Sequence, residues 1–317
     1  MQGVFLDRKS LDLNDLDFSA LEQVLEQWQY FDESHEHDVA ERIADAQVVI
    51  SNKVVLSRDI LAKARNLELV CIAATGTNNI DLDAARENNV QVCNVRAYGT
   101  ASVVEHVFAM LLALVRNLPA YQHAVAQGQW QKSKQFCMMD FPIGELTGKV
   151  MGIVGYGELG KAVAGVAKAF GMTVKIAQRP GGAAQPGRIP LAELLPELDV
   201  LSLHCPLTPE TSNLITEKEL AVMKPGAIVI NAARGGIINE QDLAKALLQK
   251  KLGGACVDVL QTEPPQQGNP LLDNNIPNLI LTPHMAWASR ESRQRLLNQI
   301  AENIQSYQAG KLNNRVV

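Results

Sequence analysis

The sequence predicts an α/β protein built as two doubly wound parallel-sheet domains, the second inserted into the first. Three observations carry this reading. Short apolar runs alternate with helix-compatible segments along the chain, the pattern of parallel strands joined by crossover helices. The 317 residues suffice for two domains with separate cores, at about 150 residues per domain. A glycine-rich loop, Gly155-Tyr156-Gly157-Glu158-Leu159-Gly160, stands between a strand-like run and a helical one where a second βα series begins.

In the first series the apolar runs are Val4 to Leu6, Val48 to Ile50, Leu69 to Ala73 and Val90 to Cys93. Helices are expected between them, including Phe18 to Trp28 and Ser57 to Arg65. A longer helix begins near Ala101 and carries Val103, Val104, Val107, Met110, Leu111 and Leu114, so it is apolar almost all round. Such a helix must be covered on both sides, and a contact with a second subunit is expected. Pro119 and Gly128-Gln129-Trp130 punctuate the stretch after this helix. The second series has six runs: Val150 to Val154, Val174 to Ala177, Val200 to Leu203, Ile228 to Asn231, Ala255 to Val259 and Leu279 to Thr282. That is the strand complement of a Rossmann domain. The last helical stretch, Ser289 to Gln308, has no strand to accompany and is expected to return to the first domain. Residues 1–99 and 285–317 then form a discontinuous, flavodoxin-like substrate domain. Residues 100–284 form the dinucleotide-binding domain, with a helical arm near 101–140.

A formal net charge of -5 with no basic cluster argues against a nucleic-acid or anionic-membrane footprint. The longest apolar stretch, Val107 to Val115, is far short of the ~20 residues of a membrane span, and Asp7-Arg8-Lys9 interrupts the N-terminal run too early for a signal peptide. Cys71, Cys93, Cys137, Cys205 and Cys256 are scattered, odd in number and without a C-x-x-C pair, so neither a disulfide framework nor a metal site is expected. That usage points to a reducing, cytoplasmic setting.

The glycine loop comes after Val150 to Val154 and opens the helix Lys161 to Phe170. In that context Gly155 permits the tight turn, Gly157 lets a pyrophosphate approach and Gly160 lets helix and strand pack. An acidic residue at the end of the next strand would select NAD through its ribose hydroxyls. Here Gln178 and Arg179 stand there, and an arginine can pair with a 2′-phosphate, so NADP is favoured within an NAD(P) reading. Arg234, Glu263 and His284 come after three successive strands, Arg234 between Ala233 and Gly235, Glu263 before Pro264 and His284 after Pro283. Each alone reads equally well as a surface or structural residue. Together they supply what reduction of a 2-keto acid needs: a fork for the carboxylate, a proton donor, and a carboxylate to orient the donor. Backbone N–H groups of Ala74, Thr75 and Gly76 would complete the carboxylate site, and Trp287 would form a wall of the pocket or simply pack.

These segments, with His204-Cys205-Pro206-Leu207-Thr208, Asn231-Ala232-Ala233-Arg234-Gly235, Asp258-Val259 and Thr282-Pro283-His284, resemble the D-isomer-specific 2-hydroxyacid dehydrogenase family over essentially the whole chain. The resemblance implies that Arg234 binds and polarises the substrate, Glu263 pairs with the histidine and His284 is the acid/base. It implies too that Asp258 holds the nicotinamide carboxamide, that Gly155 to Gly160, Cys205, Pro206, Thr211, Ala232, Ala233, Arg234 and His284 surround the cofactor, and that the helix after Ala101 builds a homodimer. Ala73 to Asp81 and Pro283 to Ala288 look most like the glycerate dehydrogenase, or hydroxypyruvate reductase, branch. Gln178-Arg179 departs from the acidic residue usual in NAD-dependent members. Alternatives are a relative acting on 2-ketogluconate, pyruvate or phosphohydroxypyruvate, and, from another class, a dinucleotide-sensing scaffold.

Overall fold

Each apolar run of the first hundred residues contributes to a strand in the computed structural model, which describes all 317 residues. The chain divides into two units, Met1–Gly99 with Trp287–Val317, and Thr100–Ala286. In the first unit β1 (Gln2–Phe5), α1 (Ser19–Glu22), β2 (Gln27–Tyr30), α2 (Glu36–Arg42), β3 (Val48–Ser51), α3 (Arg58–Lys63), β4 (Leu69–Ile72), α4 (Leu82–Glu87) and β5 (Gln91–Cys93) alternate strand and helix. Their parallel sheet has the order β2-β1-β3-β4-β5, the flavodoxin-like arrangement. Neighbouring residues point to opposite faces, and both faces are apolar. Val4, Val49, Val70 and Ile72 meet the helices carrying Val39, Leu61, Ala84 and Ala85. Phe5, Ile50, Leu69 and Cys71 meet Leu296, Leu297, Ile300 and Ile304. Those four belong to the C-terminal helix, Arg290–Gln308, which Ser289 caps through its hydroxyl.

One expectation fails here. The helix read over Phe18 to Trp28 stops at Glu22, and Trp28 enters the edge strand β2. Gly3, opposite Trp28 in the ladder, explains it: a Cβ on Gly3 would lie 2.5 Å from the indole, so the ring occupies space that only glycine leaves, while its Nε1 donates to the Leu21 carbonyl at 3.1 Å. Tertiary packing outweighs the weak helical preference of the segment.

The second unit runs α5 (Thr100–Val115), α6 (Leu118–Ala126), α7 (Gln129–Lys132), β6 (Val150–Val154), α8 (Glu158–Ala169), β7 (Thr173–Ile176), α9 (Leu191–Leu194), β8 (Val200–Leu203), α10 (Glu217–Ala221), β9 (Ile228–Asn231), α11 (Glu240–Leu248), β10 (Gly254–Val257) and β11 (Leu279–Leu281). The C-terminal helix of the first unit is α12. The sheet is parallel, ordered β11-β10-β9-β8-β6-β7, and a single bridge, Ala177 to Ile189, continues it beyond β7 as the remnant of a third strand. The order therefore reverses between β6 and β8, the switch point at which such sheets bind dinucleotides.

α5 packs against α8, β10 and β11 of its own unit, with Val103, Val104, Val107, Phe108, Met110 and Leu111 buried. Its apolar surface is thus largely consumed internally. The large exposed apolar side chains of this region lie beyond it, at Leu118, Val125, Trp130, Phe136, Met139 and Ile143. No single helix is long and apolar enough to cross a membrane.

Candidate active site

β6 ends in the glycine loop, whose spacing is set by backbone proximity. A Cβ on Gly155, whose φ is 90°, would lie 2.5 Å from the His204 carbonyl carbon, and one on Gly160 would lie 2.0 Å from the Gly155 oxygen. A Cβ on Gly157 would meet nothing within 4 Å. The first and third glycines are therefore required by packing, and the middle one faces open space at the N-terminus of α8. Exposed N–H groups and the positive end of a helix dipole make that space suited to a pyrophosphate. Glu158 accepts from the Thr100 hydroxyl, and Leu159 is half-buried.

A cavity of about 560 Å³ lies beside this loop, lined among others by Gly155, Tyr156, Arg179, Cys205, Pro206 and Thr211, all named from the sequence. Gln178 braces the segment after β7 instead: its side-chain amide donates to the Gly182 carbonyl at 3.0 Å. Two charged lining residues were not read from the sequence. Arg188 lies over the Tyr156 ring, 4.8 Å from its centroid, and Glu210 presents a carboxylate held below its ordinary pKa by the Thr208 hydroxyl first and by nearby Arg179 last. Arg188 arrives from a glycine-rich loop with no periodicity to reveal where it points. Burial pushes the Cys205 thiol up to about 11, so it packs as a neutral group. Thr211 pins its turn, donating to the Pro206 carbonyl and accepting from the Thr208 N–H, both at 2.7 Å.

His204, between β8 and this cavity, bonds the Ser202 hydroxyl through Nε2 at 2.8 Å, while its buried Nδ1 has no partner. Burial lowers its pKa from 6.5 to about 4. The unfolded chain therefore binds a proton between those values that the folded chain does not, so this group makes stability fall as pH drops through that window and adds no further loss below it. We expect about 2 kcal/mol of loss from this group between about pH 7 and about pH 5. Urea unfolding should show that loss shrinking in His204→Gln; an equal loss in both proteins would remove His204 as its source.

β9 delivers Arg234. The buried Asn231 side chain shapes the turn, accepting from the Ala233 N–H at 3.1 Å and donating to the Arg234 carbonyl at 2.9 Å, and Ala232 and Ala233 are nearly buried beside it. One Arg234 N–H donates to the Ala233 carbonyl at 2.7 Å, and the side chain is exposed. A Cβ on Gly235 would lie 2.0 Å from the Leu260 carbonyl, so the Arg234 turn is pressed against the backbone of the loop carrying Glu263. Glu263 accepts from the Leu260 N–H at 2.7 Å through one oxygen and meets His284 Nδ1 at 2.5 Å through the other. A carboxylate only accepts, so Nδ1 carries the proton and Nε2 is the nitrogen left for chemistry. His284 has φ of 53°, a left-handed conformation that costs a side-chain-bearing residue on the order of 1 kcal/mol. Its N–H donates to the Asp258 carbonyl at 2.7 Å.

Asp258 is buried beneath this turn. Its carboxylate accepts from the Met285 and Ala286 N–H groups, both at 2.9 Å, and from the Thr282 hydroxyl at 2.6 Å. Burial alone would raise its pKa; hydrogen bonds from His106, Thr282, Ala286 and Met285 outweigh it and hold the acid below its ordinary value. These bonds also carry the second unit on to Ala286, a little beyond the boundary read from the sequence. In the first unit, Ala74, Thr75 and Gly76 begin two residues beyond the end of β4, with the Thr75 hydroxyl on the Val95 carbonyl at 2.9 Å. Trp287 meets Tyr98 edge to face at 6.2 Å.

A switch-point dinucleotide loop, together with an exposed arginine and a carboxylate-paired histidine delivered after other strands of the same sheet, defines a nicotinamide-dinucleotide oxidoreductase. The family model of the D-isomer specific 2-hydroxyacid dehydrogenase NAD-binding domain matches residues 108–286. The chain is 42% identical to a glycerate dehydrogenase of Methylorubrum extorquens, covering 99% of this chain and 98% of that one, and 38% identical to a hydroxypyruvate reductase of Blautia hydrogenotrophica, covering 98% of both. Among solved structures it resembles an acyclic imino acid reductase in complex with NADPH and D-Arg, with a TM-score of 0.87, 28% identity and full coverage of both chains. The chain belongs to the D-isomer specific 2-hydroxyacid dehydrogenase family.

Proposed function

We propose that this dehydrogenase reduces hydroxypyruvate and glyoxylate with NADPH, giving D-glycerate and glycolate, and that it works as a homodimer in the reducing environment of the cytoplasm. The observation that carries the chemistry is the His284 to Glu263 contact at 2.5 Å beside the Arg234 turn. The glycerate dehydrogenase and hydroxypyruvate reductase relatives support the choice of substrate. Bound dinucleotide would supply the hydride, and Gly155, Gly157 and the N-terminus of α8 would hold its phosphates. As negative charge develops on the keto oxygen, His284 delivers a proton from Nε2, and Glu263 keeps the ring oriented and balances its charge. Arg234 grips the substrate carboxylate with its planar fork.

Arg179 and Arg188 on one cavity, facing the single carboxylate of Glu210, support NADPH over NADH. A solved relative holds NADPH as well. Initial rates with hydroxypyruvate, glyoxylate, pyruvate, 2-ketogluconate and phosphohydroxypyruvate, each with both cofactors, test the reading. NADPH is expected to serve at least as well as NADH. Arg179→Ala should cost about tenfold or more in kcat/KM for NADPH, the worth of one charged hydrogen bond, and little for NADH. Strong preference for NADH in the unmodified enzyme, with NADPH kinetics untouched by Arg179→Ala, would refute the cofactor assignment. The dimer rests on the exposed Val125, Trp130, Phe136 and Met139 side chains, apolar surface that association would cover. Sedimentation equilibrium should give twice the 34.5 kDa of one chain; a monomer at micromolar concentration would contradict it.

A further inference from the structure

α5 is apolar almost throughout, yet one stripe of it is polar and points at the segment that carries His284. Ser102, His106 and Met110 recur every fourth residue and so share one face of the helix. The Ser102 hydroxyl donates to the Ala286 carbonyl at 2.7 Å. His106 Nε2 lies 3.0 Å from the Thr282 hydroxyl oxygen and 3.4 Å from the Asp258 carboxylate, and Met110 sulfur touches the same Thr282 hydroxyl at 3.8 Å. Thr282 donates its hydroxyl hydrogen bond to Asp258, so its lone pairs accept from His106, which fixes His106 as an Nε2–H donor. A continuous chain results, from His106 to Thr282 to Asp258 and on to the N–H groups of Met285 and Ala286. Thr282 and Ala286 flank His284 on either side, and both ends are held from α5.

The left-handed backbone of His284 gives this bracing a purpose. A conformation that costs free energy persists only where its surroundings overdetermine it. The His284 ring position depends on that backbone, and the ring must meet Glu263 and the keto oxygen at once. We propose that Ser102 and His106 are positioning residues for the acid: through Thr282, Asp258 and Ala286 they lock the 282–286 segment. The proposal rests on His284 being the proton donor.

The test uses the full-length enzyme. His106→Leu keeps an apolar helix face but removes the donor, and His106→Gln restores an N–H donor at nearly the same reach. The leucine variant is expected to bind NADPH, by fluorescence titration, within about threefold of the unmodified enzyme, while kcat for hydroxypyruvate falls at least about tenfold, KM moves far less and the solvent isotope effect on kcat rises. The glutamine variant should recover most of the rate. Were His106→Leu insoluble, Thr282→Val would break the same chain one link further on and is read by the same measurements. An unchanged kcat in a folded variant, or equal losses with leucine and glutamine, would overturn the proposal. His284→Ala run beside them separates the two failures: if it stays active, the assignment of the acid is wrong, whereas an inactive His284→Ala with a normal His106→Leu condemns only the bracing.

Discussion

His284→Ala is expected to lower kcat for keto-acid reduction by about a hundred- to ten-thousandfold, the usual worth of a positioned general acid. The turn is held by backbone groups on Asp258, so folding should survive. Dinucleotide affinity should therefore stay within a fewfold in a fluorescence titration, with the loss confined to turnover. Retained turnover would mean that the proton comes from elsewhere. The side chain's partner is the Glu263 carboxylate, itself held by the Leu260 N–H, so the geometry offers the ring one orientation and leaves Nε2 as its active end.

Arg234→Ala should be almost as damaging, acting on KM and kcat together. A fork that holds a carboxylate in the ground state and leans on the developing oxyanion contributes to both, and removing charge-assisted bonds worth about 1.5–3 kcal/mol each costs on the order of ten- to a hundredfold apiece. Arg234→Lys should recover only part, because a point charge does not reproduce two parallel N–H donors. The turn itself should be indifferent to the change, since it is shaped by Asn231 and by the close approach at Gly235. Steady-state kinetics over a range of hydroxypyruvate concentrations separates the two effects. A variant with KM raised and kcat intact would assign Arg234 to binding alone.

Much of the fold could be read because buried parallel strands are nearly continuous apolar runs, as at Val48 to Ser51 and Ile228 to Asn231. β2 escaped that logic. It lies at an edge, half of its residues face water, and its place is set by a glycine more than twenty positions away in sequence. The strand remnant at Ile189 is one bridge long, too short to leave a period. At the site, Arg234, Glu263 and His284 were legible because each comes soon after a strand end, where chain order and position in the sheet coincide. Arg188 and His106 were not. One arrives through an irregular loop, and the other sits in a helix whose inward face is known only once the sheet beneath it is known. Ser102, His106 and Met110 stood in the sequence at regular spacing, yet nothing local distinguished that stripe from ordinary core filling.

The two places where the chain leaves one unit for the other have a further consequence. In the first unit, a Cβ on Gly99 would lie 3.6 Å from Cβ of Trp287, so the ends of the interrupted domain already touch. In the second, the Ser102 hydroxyl holds the Ala286 carbonyl, so the ends of the inserted domain lie together as well. Each unit is thus a nearly closed loop of chain with adjacent cut points, and joining either pair needs only a short linker with little closure entropy to overcome. The molecule is a natural cassette. The nucleotide-binding unit, taking Arg234, Glu263 and His284 with it, can be moved as one piece into another host, or its ends ligated and new termini opened elsewhere. The smaller unit can be sealed across the gap without redesign of its sheet.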